Sequence, residues 1–213
     1  MKIITVNELK WWRERPPRSP YLTAFIKIKP PLAGELCGVR DSLRRVDRRQ
    51  IYSSSSYLHV TVKELGWLGD AVTHEGLPGI LNGVHEVAQD TPPFDLAVDG
   101  VGIFPTVIYG RVGSGTNEVR RMNAQLVESL SGRAIQSKYD GEKMIPHVTL
   151  AHFATSDAGP LLAHARSMRS RRIGMMKVTE IGVGKWFPRR LFERPHRPTP
   201  LVEPLAGFKL SHS

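Results

Sequence analysis

Two tetrapeptides of one type, His59-Val60-Thr61-Val62 and His147-Val148-Thr149-Leu150, stand 88 residues apart in this chain of 213. Each lies in a stretch where polar and apolar residues alternate, YLHVTVKEL over residues 57–65 and PHVTLAHF over 146–153, the period of a half-buried strand. A duplicated strand constrains the fold because each copy must be carried by supporting elements of its own. Ahead of the first copy, residues 21–29 (YLTAFIKIK) alternate, with Leu22, Ala24, Ile26 and Ile28 on one face, until Pro30 and Pro31 end the strand. From about 32 to 49, Leu36, Val39, Leu43 and Val46 recur at spacings of three and four, while Arg40, Arg44, Arg45, Arg48 and Arg49 fill the other side. That spacing predicts an amphipathic helix whose arginine face is ordinarily a solvated one. After the polar linker 53–56 and the first tetrad come a helix over 79–89 and a strand over 94–101. The second copy repeats the order: strand 106–112, helix 116–131 with Val119, Met122, Leu126 and Leu130 at helical spacing, strand 146–153, helix 158–170 and strand 175–184. The first strands of the two copies begin about 85 residues apart, close to the spacing of the tetrads. Two β-α-β-α-β units therefore predict two lobes related by an internal pseudo-twofold. Residues 21–186 form one bilobal unit, 1–20 an N-terminal extension, and 187–213, rich in Pro and Arg and without periodicity, an extended tail.

Several classes are excluded at this level. The single Cys37 cannot form an internal disulfide or a thiolate metal site. No apolar run approaches the roughly 18 residues of a membrane span, and the opening twenty residues lack the apolar core of a signal peptide, so a cytoplasmic location and no membrane contact are expected. Thirty Lys and Arg against twenty Asp and Glu leave a net charge of +10, a field that gathers polyanions such as nucleic acid. The histidines outside the tetrads, His74, His85, His152, His164, His196 and His212, show no metal-ligand spacing.

On a strand, residues i and i+2 share a face. His59 and Thr61 thus project together, as do His147 and Thr149, while the intervening aliphatic residues anchor each strand. If the pseudo-twofold brings the strands together, two imidazoles and two hydroxyls line one cleft. That set suits in-line cleavage of a phosphodiester. One neutral histidine takes a proton from the attacking oxygen, the other, protonated, gives one to the departing oxygen, and the threonines donate to the nonbridging oxygens. No cofactor is needed.

At these residues the chain resembles the 2H phosphoesterase superfamily, specifically the 2'-5' RNA ligase family. The resemblance is carried by LHVTVKELG (58–66), IPHVTLAHF (145–153) and GIFPTVIYGRV (102–112), and spans about residues 21–184. It implies an α+β fold of two lobes, each an antiparallel sheet flanked by helices, with the His-x-Thr motifs facing a central basic cleft. It also implies metal-independent opening of RNA 2',3'-cyclic phosphates to 2'-phosphates and, in some members, reversible formation of 2'-5' linkages. Members often carry an arginine two residues after the second threonine, where this chain has Ala151 and then His152. Phosphate binding is accordingly expected from Lys63, on the His59 face by alternation, or from Arg111. Tyr57, Phe104 and Tyr109 are expected to stack on a base. The plainer reading makes the two cations solvated rim charges and the three aromatics core. The expected partner is RNA or an oligonucleotide ending in a cyclic phosphate, bound by a monomer. Cleavage of a small cyclic nucleotide or ADP-ribose cyclic phosphate, and RNA binding without turnover, remain alternatives; a zinc hydrolase lacks the needed carboxylate-histidine spacing.

Overall fold

The computed structural model describes residues 1–10, 14, 20–187 and 202–211. Among these residues nine strands and four α-helices follow in the order β1 (Tyr21–Lys27), α1 (Leu32–Val46), β2 (Ile51–Tyr52), β3 (His59–Trp67), α2 (Leu77–Gln89), β4 (Phe94–Ile103), β5 (Val107–Val112), α3 (Thr116–Ser129), β6 (His147–His152), α4 (Gly159–Ser167), β7 (Arg172–Val178), β8 (Glu180–Trp186) and β9 (Val202–Lys209). The architecture is α+β. Every pairing between strands is antiparallel, in the order β7-β4-β5-β6-β3-β1-β8-β9, with β2 added beside β6.

That order reads the same from both ends under the pseudo-twofold. The tetrad strands β6 and β3 lie at the centre, β5 and β1 flank them, and β4 and β8 come next. The two antiparallel half-sheets expected for the lobes meet at the single pair Val60↔Val148, the middle residues of the two tetrads. The repeated units in the chain are not themselves the lobes, because each sends its last strand across: β4 pairs with β5, and β8 pairs with β1. The single strand expected over 175–184 is two strands, with only Thr179 between β7 and β8. No Gly or Pro marks that break, so alternation alone runs through it. One residue spans only a few ångströms, so the sheet must curl for the chain to pass directly from one half to the other.

The helices cover one face of the curled sheet. α1 buries Leu32, Leu36, Val39 and Leu43 and lies with α4 behind β4 and β7; α2 and α3 lie behind β3, β8 and β9. The strand residues that meet them, among them Leu22, Ala24, Ile26, Val60, Val62, Val148, Leu150, Ile181 and Val183, form one core. α1 stops at Val46, short of the expected 49, because Asp47 is extended and its carboxylate accepts from the Arg49 N–H and the Gln50 amide. The opposite face of the sheet is left for the cleft.

The chain ends differ from the sequence expectation. Ile4 and Val6 donate to the carbonyls of Pro105 and Phe153, and Val6 is buried with Ile51 and Tyr57. β9 lies within the segment expected to be an irregular tail; Pro204 and Gly207 hide it from propensity, and both are tolerated on an edge strand such as this one. The remainder of the expected tail, 188–201 and 212–213, and most of 11–19 lie outside the described residues. No helix among the described residues is long and apolar enough to cross a membrane.

Candidate active site

Both tetrads stand at the seam of the two half-sheets. Val60, Val62, Val148 and Leu150 are fully buried, which leaves His59, Thr61, His147 and Thr149 half-buried on the open face. Around Val60↔Val148 the antiparallel register turns His59 toward Thr149 and Thr61 toward His147. The histidines therefore occupy one diagonal, where side chains lie about 7–8 Å apart, room for a phosphoryl group between them.

The two imidazoles are held alike. His59 Nδ1 lies 2.6 Å from the Tyr57 carbonyl and His147 Nδ1 lies 2.8 Å from the Ile145 carbonyl. A carbonyl only accepts, so Nδ1 carries the hydrogen in both rings and Nε2 is the atom offered to a ligand. The Thr61 and Thr149 hydroxyls make no hydrogen bond among the described residues, so they too are available. Burial pulls His59 down to about 4, aided by the nearby charge of His147 and opposed by the Tyr57 carbonyl. His147 is likewise lowered by burial, against the pull of the Ile145 carbonyl. Without an anion between them, both rings are neutral at pH 7.

The pseudo-twofold holds residue by residue around this diagonal. Phe25 pairs with Thr61 and Lys27 with His59; Tyr109 pairs with Thr149 and Arg111 with His147. Each histidine is packed edge-on by two rings, His59 by Phe25 (5.7 Å) and Tyr57 (5.0 Å), His147 by Phe104 (5.2 Å) and Tyr109 (5.3 Å). Tyr109 lies so close over Gly102 that a Cβ there would enter its ring. Both tetrads also end in the same irregularity: the register slips by one residue between Thr61 and Lys63 against β1, and between Thr149 and Ala151 against β5. A bulge of this kind reverses the alternation beyond it.

That bulge corrects the expectation for Lys63. Alternation puts Lys63 beside His59, but the extra residue turns it to the helix side, where it is only 2% exposed. Its Nζ donates to Asp140 Oδ2 at 2.7 Å and to the Ile135 carbonyl at 2.6 Å, so it cannot serve as a free phosphate ligand. On β6 the same slip sends Ala151 into the core and leaves His152, 4% exposed, near both tetrad histidines. Burial pulls His152 down to about 4, and His147 and His59 add to the shift.

The aromatic expectations divide. Tyr57 belongs to a 3-10 turn (Ser55–Tyr57) rather than the strand and is only 5% exposed between Val6 and Ile51, so it walls His59 and offers no face to a base. Tyr109, 8% exposed, is stacked beneath Phe104 with centroids 4.1 Å apart. Phe104, on the β4–β5 turn, is the more open of the pair. Arg111 stays on the cleft face beside His147, its Nε and Nη2 held by the Asp99 carbonyl at 3.1 and 2.8 Å. Lys27 was not legible as a site residue in the sequence. It is exposed across from His59, with no partner for its ammonium among the described residues, and only the strand register reveals that it mirrors Arg111. Among the described residues no group of three or more His, Cys, Asp or Glu gathers as a metal site.

A family model, the 2'-5' RNA ligase superfamily, matches residues 31–186, which include both tetrads. The chain belongs to the 2'-5' RNA ligase superfamily. It is 24% identical over 164 residues to the RNA 2',3'-cyclic phosphodiesterase of Methanothermobacter thermautotrophicus, a match covering 74% of this chain and 85% of that one. The protein of the same description from Aquifex aeolicus is 24% identical over 131 residues, 59% of this chain and 67% of its own. In fold, the chain is similar to E. coli LigT complexed with 3'-AMP (TM-score 0.65, 17% identity, 92% of this chain and all of that one). It is similarly close to the Thermus thermophilus protein TT0787 (TM-score 0.65, 18% identity, 90% and 98% covered). Superfamily membership makes the chain a phosphoesterase by class.

Proposed function

We propose that this protein opens the 2',3'-cyclic phosphate at the end of an RNA strand to a 2'-phosphate, with His59 and His147 as the acid-base pair. The observation that carries this reading is the matched pair of Nδ1-to-carbonyl bonds, which gives each ring the same tautomer and presents Nε2 of both to one gap. A cyclic phosphate lodged in that gap supplies the negative charge that raises one imidazole into its protonated form. Water then attacks phosphorus opposite O3'. The neutral ring removes the water's proton at Nε2, the P–O3' bond breaks, and the protonated ring gives its Nε2 proton to O3'. Each transfer contributes about 10²–10⁴-fold. Thr61 and Thr149 donate to the nonbridging oxygens, and Lys27 supplies beside His59 the free cation that Lys63 does not. With a 5'-hydroxyl in place of water, the same steps yield a 2'-5' linkage, and their reverse cleaves it. The four tetrad side chains supply base, acid and oxyanion donors, so the scheme calls on no cofactor. We assign this chemistry to the bilobal unit 21–186 of a cytoplasmic monomer.

The relatives named as RNA 2',3'-cyclic phosphodiesterases support the choice of substrate. The test is a short RNA ending in a 2',3'-cyclic phosphate, incubated with the protein in excess EDTA beside His59→Ala and His147→Ala. Conversion to the 2'-phosphate is expected, reduced at least about 100-fold by either substitution. No conversion by the unaltered protein, or conversion that both variants retain, would overturn the proposal.

A further inference from the structure

On the His147 side, the open face of the sheet runs out into a rim of arginines. β6, β5, β4 and β7 lie side by side, with His147 across from Arg111 and Asp99 across from Arg172. Three strand spacings therefore separate His147 from Arg172, about 15 Å. Ile173 enters the core, so Arg172 before it faces away from the helices, on the side of the sheet that carries His147. The turn between α4 and β7 adds Arg169 and Arg171, both exposed.

This turn is fixed to the site. Arg111 Nη2 donates to the Arg169 carbonyl at 3.3 Å, and Val101 N donates to the Met168 carbonyl at 3.1 Å. Gly100, with φ +106°, passes so close to the Arg169 carbonyl that any Cβ there would overlap it. Among the described residues none of Arg111, Arg169, Arg171 and Arg172 forms an ion pair. The carboxylate of Asp99, in the same row, is turned against Gly113. Four arginines thus lie along or beside this row, with Asp99 across from Arg172 but in no ion pair with any of them among the described residues, and at the end of a cleft that takes a phosphate their guanidinium groups are the planar forks that match phosphate oxygens.

We propose that Arg169, Arg171 and Arg172 form a docking rim for the phosphate backbone of an RNA strand whose cyclic phosphate lies between the tetrads, so that the enzyme selects strand ends over free nucleoside 2',3'-cyclic phosphates. The proposal rests on the phosphodiesterase reading and extends it from the reacting group to the polymer. Backbone contacts of this kind set affinity and register without reading sequence. Each phosphate neutralised on a single strand adds about 0.7 to the slope of log affinity against log salt, so three contacts add about 2.

The experiment compares the full chain with an R169Q/R171Q/R172Q variant on two substrates, an RNA of about ten nucleotides ending in a 2',3'-cyclic phosphate and a single nucleoside 2',3'-cyclic phosphate, over a salt series. The variant is expected to lose at least about 10-fold in kcat/KM on the RNA, chiefly through KM, and about 2 from the salt slope, while the mononucleotide is turned over within twofold of the original rate. Equal losses on both substrates, or no loss on the RNA, overturn the proposal. If the unaltered protein turns over neither substrate, the phosphodiesterase reading fails by itself. Fluorescence anisotropy with a 3'-phosphorylated RNA of the same length then decides the rim: undiminished binding by the triple variant refutes it.

Discussion

Replacing Asp140 by Asn removes one charge from the most enclosed ion pair found among the described residues. The Lys63 side chain is 1% exposed and that of Asp140 14%. Lys63 Nζ has two bonds, to Asp140 and to the Ile135 carbonyl, so the loss of the carboxylate charge leaves a buried ammonium with only neutral acceptors. Asp140 also accepts from Ser137 N at 2.8 Å and from Asn123 Nδ2 at 3.1 Å, and Asn123 in turn accepts from Gly141 N and donates to the Val62 carbonyl. Burial pushes the Asp140 carboxyl up, but the bonds from Lys63, Ser137 and Asn123 together outweigh it and hold the group below its ordinary range. The pair thus joins β3, just past Thr61, to the loop over 131–146 that delivers His147. Breaking a buried pair from one side costs about 3–5 kcal/mol. Because Asp140 is not fully enclosed, the lower figure applies, and in a chain of this size about 3 kcal/mol lowers Tm by roughly 6–12 °C. Lys63→Met with Asp140→Asn removes both charges of the pair, so the double variant is expected to recover about 2 kcal/mol relative to the sum of the single ones. Thermal and urea unfolding of the four proteins would measure this. A coupling below about 0.5 kcal/mol refutes the reasoning, since independent sites add within that range.

The buried histidines predict a stability that falls in acid. His59 and His152, held at about 4 when folded against about 6.5 unfolded, bind fewer protons in the native state between those values, so stability rises with pH through that window and is lost as pH falls. Each contributes on the order of 1–3 kcal/mol, and a Tm that stays level from pH 7 to 4.5 in low-salt buffer contradicts the assignment. Lys27→Gln is expected to raise KM for a cyclic-phosphate substrate about 10-fold with little change in Tm, because an exposed side chain carries no packing; unchanged steady-state kinetics would remove Lys27 from the site. Gly102→Ala must displace Tyr109 and with it the edge-on contact to His147. A loss of about 1–3 kcal/mol in stability and a fall in kcat are expected, read by unfolding and by initial rates; normal values for both would show that the ring has room to move.

What could be read from the sequence, and what could not, follows from how local each signal is. Alternation over residues 21–28 and 58–62 and the three-and-four spacing of Leu36, Val39 and Leu43 are consequences of one element packing against one core, and they survive in the structure. The sequence also placed both His-x-Thr pairs on one open face. It failed at Lys63 because a bulge is a property of two strands: nothing within VTVKEL says that β1 runs one residue short against it. The break at Thr179 was hidden for the same reason, since β7 and β8 pair with β4 and β1, far away in the chain, whereas Pro204 and Gly207 masked the edge strand at 202–209. Lys27 is the sharpest case. Its place beside His59 is set by β1–β3 register, and its equivalence to Arg111 by a symmetry that only the assembled sheet displays.

The symmetry also states what the site must break. A twofold frame offers each tetrad to substrate identically, whereas opening a cyclic phosphate needs one side to face the attacking oxygen and the other the leaving oxygen. The positions that differ between the halves are therefore those able to set direction, among them Lys27 against Arg111, Phe25 against Tyr109, and, after the matched bulges, Lys63 against Ala151. Of these, the first pair carries charge at the ligand-facing surface. Arg111 is fixed by the Asp99 and Arg169 carbonyls, whereas the Lys27 ammonium is free to follow the phosphate. A held cation on the side that leads to the arginine rim and an unheld one on the other orient an RNA strand before chemistry begins. Exchanging the two, Lys27→Arg with Arg111→Lys, is expected to preserve the net charge and the fold yet lower kcat/KM on an RNA end more than on a mononucleotide, because the strand loses its fixed point of entry. Equal effects on both substrates would place the asymmetry elsewhere in the cleft.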